Sequence, residues 1–333
     1  LAGAEYPLIP GRANVNTNDS NSVEPKRRTR WLAIRIVVLI VLTGGFTAYF
    51  IRHRELLPDW ELIRWNYFYW IIFLSVIANL AASMAYQALV RHLHPSLRRK
   101  EIIRIFIIGR TLNLISPQAG TLYSAISMKA GGYSYTKYSA TMAASLWMDI
   151  TLAAAAAIAA LSFVQNSHHA DTLFLVFCSV LLLSLLAGIV LLKGHRHRLL
   201  EHFVFSRGRI GQRLSELTEM LNGIIRNTRL CLVFSLWSLA NALVHGLRLY
   251  VCFAMLQAVI NWPYALACTV LVKASNTISI TPGNFGIVEG IVGLMGSQIG
   301  ISLGVAVLAG LVYRLGSYIA LFLMSLFLNF LKA

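Results

Sequence analysis

From residue 31 onward the chain alternates long apolar runs with short polar or basic joints. Six runs, 32–51, 67–90, 138–164, 172–192, 230–257 and 300–330, reach the length of roughly 20 residues that a helix needs to cross a bilayer. Their apolar residues are continuous rather than alternating, which points to helices and not to barrel strands. Two further apolar segments, 102–128 and 264–297, are interrupted by proline, glycine and asparagine. The pattern predicts an all-α polytopic membrane protein with six full spans and two re-entrant broken-helix hairpins, arranged as an inverted repeat.

Within the spans the polar residues keep helical spacing. Ser75, Asn79, Ser83 and Gln87 recur every four residues. Ser238, Asn241, His245 and Arg248 recur at three or four, as do Thr141, Ser145 and Asp149, and Arg314 shares a face with Ser317 and Tyr318. Each stripe lies on one helix face. Interhelical hydrogen bonding explains a single stripe; four stripes together predict a shared polar cavity.

Charge sets the expected topology. The joints 91–104 and 193–229 are strongly basic, 52–64 is balanced, and 165–171 and 258–263 carry no lysine or arginine. By the positive-inside rule the basic joints and both termini are cytoplasmic, in the cell inner (plasma) membrane. The hairpin at 102–128 then enters from the cytoplasm and the one at 264–297 from outside. The organisation reads as a disordered cytoplasmic tail over 1–30, a first membrane repeat over 31–192, a basic cytoplasmic loop over 193–229 and a second repeat over 230–333. Within the loop, 209–226 has Leu214, Leu217, Leu221 and Ile224 on one side and charges on the other, an amphipathic surface helix.

Composition agrees with a membrane chain: 57% hydrophobic and 13% charged, against about 25% charged in a soluble domain. The net charge of +16 belongs to cytoplasmic joints rather than to a nucleic-acid surface, so no nucleic-acid partner is expected. No small-residue cleavage site closely follows the first apolar run, so a cleaved leader is not expected. The four cysteines fall in apolar segments without metal or disulfide spacing.

The two interrupted segments share a pattern. Arg110, Asn113, Ile115 and Ser116 in the first match Lys273, Asn276, Ile278 and Ser279 in the second. Each continues to a proline (Pro117, Pro282) and a glycine (Gly120, Gly286). Paired Gly/Pro-interrupted segments point to a transporter's binding site, because a broken helix frees backbone groups that lipid cannot satisfy. A half-helix starting near Phe285 exposes N–H donors and about half a positive charge, an anion site by construction, with Asn284 as its candidate cap.

Ionisable residues supply the second clue. Arg110, Lys273, Arg248 and Arg314 are cations at or near membrane depth, against the acids Asp149 and Glu289. Such groups face a bundle interior. The surplus of cations calls for an external anion, phosphate being the obvious one. Asp149, Glu289 and His245 are the charge-balancing or proton-carrying candidates. No phosphate-binding Gly-Lys-Ser/Thr loop, nucleophile triad or metal-ligand spacing is present. Catalysis, a metal and a cofactor are therefore not expected.

These residues carry a resemblance. The segment Pro282-Gly283-Asn-Phe-Gly286-Ile-Val-Glu289, with Asn113, Pro117 and Gly120, Asp149 and Arg314, resembles the flippase-like membrane domain of the lysylphosphatidylglycerol synthase transmembrane family over roughly 30–330. The chain departs from that pattern at Ser145-Leu-Trp-Met-Asp149, where an acidic-arginine pair usually precedes the aspartate. It departs again at Gly283-Asn-Phe-Gly286, where Gly-Gly-Leu-Gly is common. The resemblance implies movement of anionic or lipid-linked head groups between leaflets. With no aminoacyl-transferase segment in the sequence, synthesis of aminoacyl lipids is not expected. The expected function is a lipid translocase for an anionic phospholipid or a polyprenyl-phosphate-linked sugar. Arg110, Asn113, Arg248, Lys273, Asn276, Pro282, Gly283, Gly286 and Arg314 form its binding set, and cell-envelope biosynthesis enzymes are candidate partners. The alternative is a membrane-embedded lipid-modifying enzyme or an accessory subunit of a cell-envelope complex.

Overall fold

A computed structural model describes residues 61, 63–116, 118–162, 168–194, 209–275 and 284–330. Among them are ten α-helices and no strand. They are α1 (Asn66–Leu93), α2 (Arg99–Ile115), α3 (Ala119–Ala130), α4 (Tyr135–Leu161), α5 (His168–Gly194), α6 (Arg209–Arg226), α7 (Thr228–Met255), α8 (Trp262–Ser275), α9 (Ile287–Gln298) and α10 (Leu303–Phe330). Five of them, α1, α4, α5, α7 and α10, are long and apolar enough to cross a membrane. Five of the six predicted spans thus appear within a few residues of their expected bounds; the sixth, 32–51, lies outside the described residues. The protein is an all-α polytopic membrane protein.

Helices α1 and α7 pack antiparallel along their length. At one end Arg64 donates its backbone N–H to Met255 O at 3.1 Å. At the other end Asn227, the N-cap of α7, lies 3.5 Å from the His92 ring. Their polar stripes face inward: Ser75, Asn79, Ser83 and Gln87 of α1 and Ser238, Asn241 and Arg248 of α7 are all buried. In hydrocarbon an unpaired polar group is costly; Ser75, Asn79 and Ser83 bond carbonyls of their own helix, and two bonds link the facing stripes. Asn241 Nδ2 donates to Ala78 O at 2.7 Å and Arg248 Nη1 to Ser75 Oγ at 2.9 Å. Large apolar side chains such as Tyr69, Phe73, Leu236, Phe322 and Phe327 point outward.

The interrupted segments are helical hairpins, α2–α3 and α8–α9. Each arm is shorter than a bilayer's hydrocarbon is thick: 17 and 12 residues in the first and 14 and 12 in the second, against the roughly 20 needed. The first begins and ends at the His92 end of the bundle. There Arg104 Nη2 donates to Asn329 Oδ1 at 3.1 Å, and Gly131 O is 3.3 Å from His94 Nε2. The second begins and ends at the Met255 end, where Trp262 follows the α7 terminus and Gly296 lies against Phe253. The two hairpins therefore enter the bundle from opposite ends.

The arms of the first hairpin touch backbone to backbone. A Cβ on Gly120 would stand 1.6 Å from Gly109 O, so only glycine permits this crossing. Helix α6 lies against α4, α5 and α7. Leu221 and Ile224 are buried in a cluster with Ala85, Leu89, Met148 and Phe234, as its amphipathic pattern predicts. The side chains of Leu214 and Leu217 lie outside the described residues.

Candidate functional site

Halfway along α1, α4 and α7 stand Asn79, Asp149 and Asn241. The hairpins deliver two cations to that level. Arg110 of α2 donates from Nη1 to Asn79 Oδ1 at 2.9 Å. Lys273, near the end of α8, donates to Asp149 Oδ1 at 3.1 Å and to Asn241 Oδ1 at 3.3 Å. Ser238 Oγ also donates to Asp149 Oδ1. Arg110 is within electrostatic reach of both Asp149 and Arg248, and His245 of Arg248, Lys273 and Arg110.

Arg248 is 1% exposed. Its guanidinium carbon sits 3.6 Å from the centroid of the Tyr313 ring, and the Tyr313 hydroxyl is 2.6 Å from His245 Nδ1. Stacking on a ring face favours a desolvated guanidinium. Arg248 Nη1 donates to Ser75, and among the described residues its Nε has no hydrogen-bond partner. Among the described residues neither Arg248 nor Arg110 makes an ion pair with a carboxylate. Arg110 and Lys273 at mid-height, with Arg248 about two turns further along α7, thus have Asp149 as the one acid near them among the described residues. An uncompensated buried charge is expensive, and an anion of the right size would relieve it.

The second hairpin builds a separate unit. Arg314 Nη1 lies 2.9 Å from Glu289 Oε1, with side-chain exposures of 6% and 0%, and another guanidinium nitrogen donates to Asn284 O. Glu289 Oε2 accepts the Gly286 N–H at 2.8 Å. The α9 helix therefore starts at Ile287 with Gly286 as N-cap, and its positive end is met by the protein's own carboxylate. Asn284 is not this cap. With φ of +56° it turns the chain before α9, and its Nδ2 reaches Ser275 O at 3.3 Å, tying the tip back to the end of α8. Gly286, at φ +85°, occupies backbone space that side-chain-bearing residues avoid. Arg314 and Tyr313 are neighbours on α10, yet they leave the helix about 100° apart. Arg248 thus stacks on Tyr313 while Arg314 pairs with Glu289.

Asn113 closes the first hairpin in a comparable way, its Oδ1 accepting the Gly120 N–H at 2.8 Å. In both hairpins a side chain satisfies a donor at the start of the second arm. Asn276, Pro282 and Gly283 lie outside the described residues. Thr141 stands apart from the cluster, bonded to Tyr133 OH at 2.5 Å and to Lys137 O at 3.0 Å. Sequence reasoning did not single out Tyr313. Its signal is a phenol beside an arginine in the middle of a span, since a buried tyrosine hydroxyl needs a partner. Among the described residues no three His, Cys, Asp or Glu side chains gather where a metal ion could sit.

Comparison with curated proteins gave no match. Comparison with solved structures gave none either. The family described as "Lysylphosphatidylglycerol synthase TM region" matches residues 31–325. That match takes in the helix bundle, both hairpins and every residue of the two polar units, and the chain belongs to this family of lipid-related membrane proteins.

Proposed function

We propose that the protein is a lipid translocase that moves an anionic phospholipid or polyprenyl-phosphate-linked head group between leaflets. The observation that carries this reading is the burial of Arg248 within electrostatic reach of Arg110, with no carboxylate paired to either among the described residues. A head group carrying phosphate supplies the missing negative charge and matches the forked donors of arginine. Its tails remain in lipid. Lys273 completes the set of donors around the phosphate, Asn241 and Asn79 hold Lys273 and Arg110 in place through their side-chain oxygens, and Asp149 balances the set when it is empty. Arg314, Gly286 and Glu289 form the second-hairpin wall of the path, Glu289 balancing Arg314; Pro282 and Gly283 belong to the binding set on the sequence pattern. Asn113 shapes the first-hairpin tip, with Asn276 its counterpart in the second. His245, hydrogen-bonded to Tyr313, is the candidate proton carrier.

In this reading the hairpins are re-entrant from opposite leaflets and related as an inverted repeat. Their entry from opposite ends of the bundle supports it. Both termini are cytoplasmic, the membrane is the cell inner membrane, and cell-envelope biosynthesis enzymes supply or use the lipid.

The test is leaflet exchange of labelled phosphatidylglycerol, and of a labelled polyprenyl phosphate, in proteoliposomes of the full chain. Wild type should accelerate exchange of one of them without changing its chemistry. Arg248→Ala and Arg110→Ala should lose the acceleration. Chemical conversion of the lipid would replace this reading with that of a lipid-modifying enzyme.

A further inference from the structure

The two ion pairs of the interior are built differently. Glu289 is fully buried, with Oε2 bonded to the backbone of its own helix start and Oε1 in ionic contact with Arg314. Asp149 and Lys273 keep side-chain exposures of 27% and 25%. Both donors to Asp149, Ser238 Oγ and Lys273 Nζ, reach the same oxygen, Oδ1. Lys273 keeps a second tether in Asn241 Oδ1, so it holds its place if the carboxylate leaves. The carboxylate in turn stays within electrostatic reach of Arg110.

We infer that Asp149 is a competing self-ligand: it occupies Lys273 while the cationic cluster is empty, and a phosphate-bearing head group displaces it. This rests on the translocase reading for the kind of ligand, and it assigns the exchange to Asp149 and not to Glu289. The ligand phosphate takes the Lys273 ammonium together with the guanidinium donors of Arg110 and Arg248. The Asp149 carboxylate retains Ser238. At no stage does Lys273 stand in the membrane without a counter-charge. The resident carboxylate keeps the empty site from trapping adventitious anions and weakens the hold on the ligand, which a carrier needs for release.

The experiment measures binding of three probes to the full chain in neutral detergent: dioctanoyl phosphatidylglycerol, geranylgeranyl phosphate and inorganic phosphate, with dioctanoylglycerol as the uncharged control. Asp149→Asn should tighten binding of a phosphate-bearing probe by about 5- to 100-fold, the range of ordinary coupling between linked sites, and leave the control unchanged. The probe that tightens identifies the source of the phosphate. Unchanged or weaker binding in Asp149→Asn, with binding still abolished by Arg248→Ala, overturns the self-ligand while the anion site stands. Indifference of every probe to Arg248→Ala removes the translocase site itself. A measurement on wild type covers failure of the variant to fold. With the chain's four aspartates carrying 13C carboxylates, a saturating probe should shift a carboxylate stretch in the infrared difference spectrum. A flat spectrum at saturation overturns the inference.

Discussion

Glu289 joins the backbone of one helix to a side chain of another: one oxygen holds the Gly286 N–H at 2.8 Å and the other faces Arg314 at 2.9 Å. A single carboxylate thereby neutralises the positive start of α9 and a buried guanidinium on α10. Gly310 of α10 sits against the Glu289 backbone, a Cβ there coming within 3.1 Å of Glu289 Cα. The two helices are pinned at the level of the hairpin tip.

Glu289→Gln keeps the shape but leaves Arg314 buried without its counter-charge. Breaking such a pair costs about 3–5 kcal/mol. The expected result is a clear fall in the midpoint of thermal unfolding in detergent. Pairing it with Arg314→Met should recover much of the loss, because the double variant buries no charge. A double variant no more stable than Glu289→Gln would show that the carboxylate acts mainly through the Gly286 N–H.

Arg248 should behave in the opposite way. Its charge is buried without an acidic partner among the described residues, so Arg248→Met removes a desolvated charge and keeps most of the volume. Against that stand the bond to Ser75 and the stacking on Tyr313, the stacking being worth about 0.5–2 kcal/mol. Thermal stability should change by no more than about 1–2 kcal/mol in either direction, while lipid exchange in proteoliposomes is lost. A variant that unfolds would mark Arg248 as a structural residue.

The first hairpin depends on Gly120. Gly120→Ala drives a methyl into Gly109 O and should destabilise the chain by about 1–3 kcal/mol or more. Gly290→Ala, in α9 with open space around its Cα, should instead stabilise by about 0.5–1 kcal/mol. Unfolding of both variants in the same detergent checks the contrast; equal effects would disprove the close crossing.

Opposed hairpins predict opposed accessibility. In a background lacking Cys178, Cys231, Cys252 and Cys268, cysteine at exposed Lys129, near the end of α3, should react with an impermeant maleimide from the cytoplasm. Cysteine at exposed Asn261, before α8, should react from outside. Labelling of both from one side would remove the membrane topology proposed from charge.

The sequence by itself determined the class, the elements and the chemistry of the interior. Continuous apolar runs at helix length allow one solution in lipid, and the proline, glycine and asparagine interruptions mark where that solution breaks. The spacing of Ser75, Asn79, Ser238, Asn241 and Arg248 also fixed which helix faces turn inward, because helical geometry is local. Partnership is not local, and the tertiary structure decided it. Four cations and two acids admit several pairings, and only the packed bundle gives Asp149 to Lys273 and Glu289 to Arg314. The same is true of Tyr313: its ring lies under Arg248 because α7 and α10 cross there, a distance of 65 residues along the chain that no sequence period encodes. The anion-ready start of α9 was legible as a helix end. That its anion is the protein's own Glu289 follows from a side chain folding back three residues onto Gly286, a choice made by burial, since a fully enclosed carboxylate must find its donors within the fold.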